Sequence, residues 1–171
     1  RIPNYPVFDS EGNLYVSDSG EMYKNKWALI SRGNGHICKI PPGGGDGVTW
    51  ERSLSQFPNG MCLSPNGDYI YVALTFIRPR VARVQIRPDG SAGTVETVVE
   101  MPNTAPDGLA FDTDNNLYIS CYRPDRVYRL TPQGKLDVLA EEPTGHLIAA
   151  PTNVAFCAKD LNVFLSTNLG R

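Results

Sequence analysis

One unit, a short apolar strand, a tight turn and a second apolar strand, recurs four times along this chain. Internal repetition of this kind restricts the possible folds more than any local propensity does. The clearest copy runs Pro106-Asp107-Gly108-Leu109-Ala110-Phe111, then the acidic turn Asp112-Thr113-Asp114-Asn115-Asn116, then Leu117-Tyr118-Ile119-Ser120. Ile2-Pro3-Asn4 through Phe8 to Leu14-Tyr15-Val16-Ser17 has the same form, as does Phe57-Pro58-Asn59-Gly60 through Leu63 to Tyr69-Ile70-Tyr71-Val72. A fourth copy runs from Pro151-Thr152-Asn153 through Phe156 to Val163-Phe164-Leu165-Ser166. Each copy opens on a proline and a second residue, here called X: Asn4, Asn59, Asp107 and Thr152, at intervals of 55, 48 and 45 residues. The residue four beyond X is apolar every time (Phe8, Leu63, Phe111, Phe156), so these positions are equivalent and loop length absorbs the differences.

Four strands fit into each full interval. The first reads as Val7–Asp9, Leu14–Asp18, His36–Ile40 and Val48–Arg52, with Ser19–Ile30, including Glu21, Met22, Tyr23 and Trp27, inserted after the second strand. The second interval reads as Met61–Ser64, Tyr69–Leu74, Arg80–Arg87 and Val95–Glu100, and the third as Leu109–Asp112, Leu117–Cys121, Arg126–Leu130 and Leu136–Ala140. The fourth copy supplies two strands, Val154–Cys157 and Val163–Thr167. Arg87-Pro88-Asp89-Gly90 and Thr131-Pro132-Gln133-Gly134 place Pro and Gly where hairpin turns use them. No segment sustains a helical period. Four strands in about 45–50 residues, repeated, is the pattern of a β-propeller blade. The expected fold is therefore all-β, about three and a half four-stranded blades forming one partial domain over residues 1–171. A sandwich of ordinary hairpins is the alternative, and the near-equal repeat lengths argue against it. The chain stops midway through the fourth repeat, so it reads as a piece of something longer or as a unit that completes its ring by pairing. An open blade exposes strand edges and an apolar face, which makes a homo-oligomer the expected partner.

Charge and cysteine usage narrow the function classes. With 16 basic and 18 acidic residues the net charge is −2, and no basic field favours nucleic acid or an anionic membrane. No apolar run approaches the ~20 residues of a membrane helix, and the opening residues lack the apolar core of a secretory leader. Cys38, Cys62, Cys121 and Cys157 are far apart in sequence, without a metal or redox pair, and read as free thiols acting as small hydrophobes. That usage favours a reducing compartment, and a cytoplasmic location is the expectation.

The repeat also points to chemistry. Residue X sits just before each innermost strand, and in a propeller all such positions converge on one mouth of the central channel. Asn4, Asn59, Asp107 and Thr152 would then surround one point. Amide oxygens with a carboxylate form a hard-oxygen set suited to Ca²⁺, with Mg²⁺ or Mn²⁺ as alternatives and Zn²⁺ poorly served. In a single repeat, Asn or Asp at such a place would simply satisfy backbone groups; three convergent copies favour a metal site. Two further residues flank this mouth. Tyr122 follows a second strand, in the loop Tyr122-Arg123-Pro124-Asp125, and His146 lies in Thr144-Gly145-His146, leading to the fourth inner strand; both are candidate substrate contacts. His36 opens a third strand and reads as exposed. Ser17, Asp18 and Ser120 read as solvated strand ends, and Ser120, His146 and Asp107 show no triad spacing. The Gly43–Gly47 run lacks the Lys-Ser/Thr and helix of a phosphate loop.

Pro3-Asn4, Pro58-Asn59-Gly60-Met61, Pro106-Asp107-Gly108-Leu109, Leu117-Tyr118-Ile119-Ser120-Cys121-Tyr122 and Arg126-Val127-Tyr128-Arg129-Leu130 together resemble the SMP-30/gluconolactonase/LRE-like family, calcium-dependent lactonases built as six-bladed propellers. The resemblance spans essentially the whole chain, and its Pro-Asn-Gly and Pro-Asp-Gly openings are its most specific part. It implies that Asn59 and Asp107 ligate a divalent cation, Ca²⁺ first. It implies that Asn4 faces the substrate and can also ligate, and that Asp107 acts as ligand and as general base. The implied reaction is hydrolysis of a sugar lactone or related ester. The family's N-terminal Glu ligand has no counterpart here, since Glu11 and Glu21 fall in a turn and in the insertion. A non-catalytic propeller module that binds a partner, or an inactive fragment, is the alternative function.

Overall fold

The computed structural model describes residues 1–24, 29–157 and 163–169. Its first blade begins with β1 (Pro3–Phe8) and β2 (Leu14–Asp18). A small hairpin follows, β3 (Met22–Lys24) with β4 (Leu29–Ser31), in the predicted insertion; Trp27 lies outside the described residues. The blade resumes with β5 (His36–Ile40) and β6 (Val48–Glu51). The second blade is β7 (Pro58–Leu63), β8 (Tyr69–Leu74), β9 (Arg80–Ile86) and β10 (Ala92–Glu100). The third is β11 (Pro106–Phe111), β12 (Leu117–Tyr122), β13 (Asp125–Leu130) and β14 (Leu136–Glu141). The chain then enters β15 (Pro151–Cys157) and β16 (Val163–Asn168), the first half of a fourth blade. Each full blade is an antiparallel four-stranded sheet in sequence order, once the inserted hairpin is set aside. The inner strands stand side by side, β1 next to β7, β7 next to β11, and β11 next to β15. This is a partial β-propeller.

The apolar pattern of the second blade explains the stacking. Side chains alternate across a strand, so Ile70, Val72 and Leu74 of β8 face one way and Ala73 the other. The first set joins Tyr15, Ile37, Leu54, Met61, Ala82 and Val84 in a core between the first and second blades. Ala73 and Val81 join Leu109, Leu117, Ile119, Cys121, Tyr128 and Leu130 in a core between the second and third. A blade covered on both sides needs apolar residues on both faces, which is why Tyr69–Leu74 reads as a nearly unbroken apolar run. Each fully buried Leu, Ile or Val there contributes about 1.5–3 kcal/mol. One ring contact repeats at successive interfaces. Tyr71 meets Phe111 edge-on at 5.0 Å, and Tyr118 meets Phe156 at 4.9 Å.

Backbone pairing follows one register at all four strand openings. Pro3 pairs with Asp18, Pro58 with Leu74, Pro106 with Cys121 and Pro151 with Asn168. The residue before each proline accepts a backbone hydrogen bond from just beyond the second strand: Ser19 N to Ile2 O, Thr75 N to Phe57 O, Tyr122 N to Ala105 O, and Leu169 N to Ala150 O. One expectation is corrected. X does not precede the inner strand but is its second residue. Proline can open a strand because it surrenders no ladder donor there. In every copy the pairing then slips, between Pro3 and Pro6, Pro58 and Met61, Pro106 and Leu109, and Pro151 and Asn153. X therefore sits in or beside a strand irregularity, a device that re-aims side chains next to functional sites.

Candidate metal and substrate site

The openings of the inner strands touch. A Cβ added to Gly60 would collide with the Asp107 carbonyl oxygen. One added to Gly108 would lie 2.6 Å from the Asn153 Cα and 2.9 Å from the Thr152 carbonyl oxygen. The glycine after Asn59 and after Asp107 is thus required because the next blade's opening backbone occupies the place of a side chain. The first blade is joined differently: the Ser17 hydroxyl donates to the Asn59 carbonyl at 2.7 Å, and the Ser19 hydroxyl to the Pro58 carbonyl at 2.8 Å. These contacts carry the four X residues around one end of the partial ring.

Their side chains differ in environment. Asn59 is 4% exposed, and its Nδ2 donates to Thr75 Oγ1 at 3.0 Å. Asn4 is exposed, because β1 has a neighbouring blade on one side only among the described residues; its Nδ2 donates to Ser19 Oγ at 2.9 Å. Asp107 is half-buried, and its carboxylate has no hydrogen-bond or ion-pair partner among the described residues. Burial alone pushes its pKa up to about 7, since water is withdrawn from the charged form and nothing replaces it. Thr152 departs from the others; its hydroxyl lies 3.3 Å from that of Thr167.

Tyr122 occupies in the third blade the place that Ser19 and Thr75 occupy in the first and second, beside its own X residue, Asp107. Its phenol is pushed up to about 12, first by burial and then by the charge of Asp107. Desolvation is also the main cause that lifts the Cys121 thiol to about 12. His146 lies on the segment between β14 and β15, tied to the same end of the fourth blade through Leu147, whose carbonyl accepts from Asn168. Its own contacts are the Thr144 hydroxyl at 3.0 Å and the Glu142 carboxylate at 3.8 Å, and its side chain is largely exposed. The strand openings that carry Asn59 and Asp107 are therefore adjacent, the Asp107 charge acts on Tyr122, Asn4 is linked to the second blade through Ser19, and the contacts of His146 are with Thr144 and Glu142.

Other expectations change. Ser17 and Ser120 are fully buried rather than solvated. Ser17 Oγ accepts from Tyr5 N, and Ser120 Oγ accepts from Gly108 N, filling the gap left in the ladder by the slipped register. His36 is half-buried, with Nε2 3.2 Å from Cys38 Sγ. All four cysteines are free. Glu11 lies in the β1–β2 turn and Glu21 pairs with Arg32. Ser19 and Thr75 escaped sequence reasoning, although the register alone puts Ser19, Thr75 and Tyr122, three hydroxyl-bearing residues, at one position. Asp125 also escaped it: it is buried, and its carboxylate accepts from Ala150 N at 2.8 Å, holding the third blade to the opening of the fourth.

Among the described residues no three His, Cys, Asp or Glu side chains gather to hold a metal ion. The donors here are of another kind. Two amide oxygens that accept no hydrogen bond among the described residues, and one half-buried carboxylate without a partner there, fit a hard divalent cation.

A repeated all-β blade with oxygen donors at the inner strand openings defines a propeller with a candidate cation centre. The sequence pattern of the SMP-30/Gluconolactonase/LRE-like region matches residues 2–168, and the chain belongs to that family. Among solved structures it is similar to XC5397 from Xanthomonas campestris, described as a gluconolactonase, with a TM-score of 0.75 and 19% identity over 97% of this chain and 54% of that one. It is similar to regucalcin from Agrobacterium tumefaciens, described as a calcium-binding protein, with a TM-score of 0.69 and 21% identity over 95% of this chain and 51% of that one. A chain of a nidogen/laminin complex matches with a TM-score of 0.74 and 18% identity, over 98% of this chain and 57% of that one. These likenesses show the fold, and the chain spans about half the length of each structure it matches. No curated protein sequence matches the chain.

Proposed function

We propose that this chain carries part of a lactonase-type active site that hydrolyses a sugar lactone or related ester with a divalent cation, Ca²⁺ by donor chemistry. The observation that carries the reading is Asp107: a half-buried carboxylate with no partner among the described residues, in the structural position where neighbouring blades place Asn59 and Asn4. Asn59 and Asp107 would hold the cation, with Asn4 Oδ1 as a third ligand or a contact to a substrate hydroxyl. When bound, such an ion supplies positive charge that polarises a lactone carbonyl and steadies the oxyanion. Asp107 orients the attacking water, and the burial that raises its pKa in the cation-free site favours it as the acceptor of the water's proton. Cation binding lowers that basicity, so ligation is its first role and proton transfer its second. Tyr122 directs a phenol toward substrate beside Asp107, and His146 lines the rim. Family membership and the gluconolactonase and calcium-binding relatives support this reading.

Calcium titration by calorimetry, run beside a gluconolactone hydrolysis assay on wild type and Asp107→Ala, tests it. The expected outcome is binding and hydrolysis by wild type and loss of both in the variant. Equal binding by both proteins would remove the metal site. Binding without hydrolysis would retain the site and remove the lactonase activity of this chain.

A further inference from the structure

Two blades build the same three-part relay. In the second, Asn59 Nδ2 donates to Thr75 Oγ1 at 3.0 Å, and Thr75 Oγ1 donates to the Pro106 carbonyl of the next blade at 2.8 Å. In the first, Asn4 Nδ2 donates to Ser19 Oγ at 2.9 Å, and Ser19 Oγ donates to the Pro58 carbonyl at 2.8 Å. A hydroxyl has one hydrogen. Both hydroxyls spend theirs on the neighbouring blade, so each can only accept from the Asn side chain. That accounting decides the amide orientation: the NH₂ faces the hydroxyl, and Oδ1 faces the other way. Thr75 and Ser19 are themselves buried and held by backbone on both sides, since Thr75 N donates to Phe57 O and Ser19 N to Ile2 O. In the third blade X is Asp107, which has no hydrogen to donate when ionised, and a tyrosine replaces the small hydroxyl.

We propose that Thr75 and Ser19 are positioning residues that lock the Asn59 and Asn4 amides with Oδ1 toward the opening shared with Asp107. The inference rests on the cation site proposed above. The relay also fixes the distance between blades, because the same hydroxyl that aims the amide binds the opening carbonyl of the next blade. Amide aim and blade spacing are thus set by one atom.

Thr75→Val keeps the shape and removes the hydroxyl, whereas Thr75→Ser keeps the hydroxyl. In isotope-labelled protein without calcium, solvent exchange of the Asn59 side-chain NH₂ should be slow in wild type and Thr75→Ser and fast in Thr75→Val. Calcium affinity measured by calorimetry should fall about 10–100-fold in Thr75→Val, the usual cost of losing a partner that orients a ligand, and stay near wild type in Thr75→Ser. Unchanged NH₂ exchange in Thr75→Val would overturn the relay. A lowered melting temperature with unchanged calcium affinity would overturn the positioning role and leave Thr75 a structural link only. Absence of calcium binding in wild type would instead remove the cation site, a distinct result. Should Thr75→Val fail to fold, Ser19→Ala with the Asn4 NH₂ as probe makes the same test in the first blade.

Discussion

Among the described residues nothing neutralises the Asp107 carboxylate, and the surrounding packing favours a neutral group. Leaving a buried charge or acceptor unpaired costs about 1–3 kcal/mol. Replacing the carboxylate with an amide of the same shape, Asp107→Asn, should therefore stabilise the protein by about that amount in chelator, as read by urea unfolding. Calcium should reverse the order, raising the wild-type midpoint and leaving the variant unmoved, because ligand binding to the folded state adds stability by mass action. A variant less stable than wild type in chelator would show that Asp107 is already satisfied. Residues placed for ligand binding commonly weaken the empty fold in this way. The left-handed backbone of Phe57 (φ 63°) and Ala150 (φ 50°), each just before an opening proline, adds strain at the same end of the ring.

The turns at the opposite end are built for stability. Asp9 Oδ1 accepts from Asn13 N at 2.8 Å and Glu11 N at 3.0 Å, while Oδ2 accepts from Asn13 Nδ2 at 2.8 Å and the Tyr15 hydroxyl at 3.2 Å. Asp112 repeats this with Asn116, Asp114 and Tyr118. Burial pulls both carboxyls upward, but these hydrogen bonds outweigh it and hold them below their ordinary value. A depressed folded pKa contributes stability that is present above the unfolded value and is lost as pH falls through the folded one. Stability should therefore decline as the solution is acidified below about pH 4. Asp112→Ala should cost about 1–2 kcal/mol at neutral pH and flatten that decline, as measured by urea unfolding across an acid pH series. An unchanged acid limb would assign the loss to other carboxylates. The periodic positions Pro-X, the apolar fourth residue and the Asp-to-Asn turn were all legible in sequence, because each recurs at a fixed place in the repeat. The burial of Ser17 and Ser120, the Ser19 and Thr75 relays and the role of Asp125 were not, because their partners come from another blade or from a register slip that spacing does not reveal.

The two open ends of the partial ring are complementary versions of one interface. At the internal interfaces a second-strand tyrosine meets an inner-strand apolar residue of the next blade: Tyr15 with the core that includes Leu63, Tyr71 with Phe111, and Tyr118 with Phe156. By the same register Phe8 is the fourth member of the inner-strand set and Leu165 the fourth of the second-strand set, and both are exposed. The outer edge of β16 also has no sheet partner among the described residues. Exposed apolar faces and free strand edges favour association. Joining the Phe8 end of one copy to the Leu165 end of another would repeat a contact the fold already makes internally. Because the two surfaces differ, such a contact is heterologous and leads to rings if it closes and to open chains if it does not. The expected outcome is concentration-dependent self-association of this chain in sedimentation velocity. Burying one Phe contributes about 1.5–3 kcal/mol, so Phe8→Ser should weaken association by about 10–100-fold. Because the two surfaces are distinct, mixing Phe8→Ser with Leu165→Ser should still allow a single wild-type junction per pair, giving dimers where either variant alone gives monomers. A wild-type chain that stays monomeric at every concentration, with both faces exposed, would show that the blade surfaces tolerate water and that no second copy is needed to cover them.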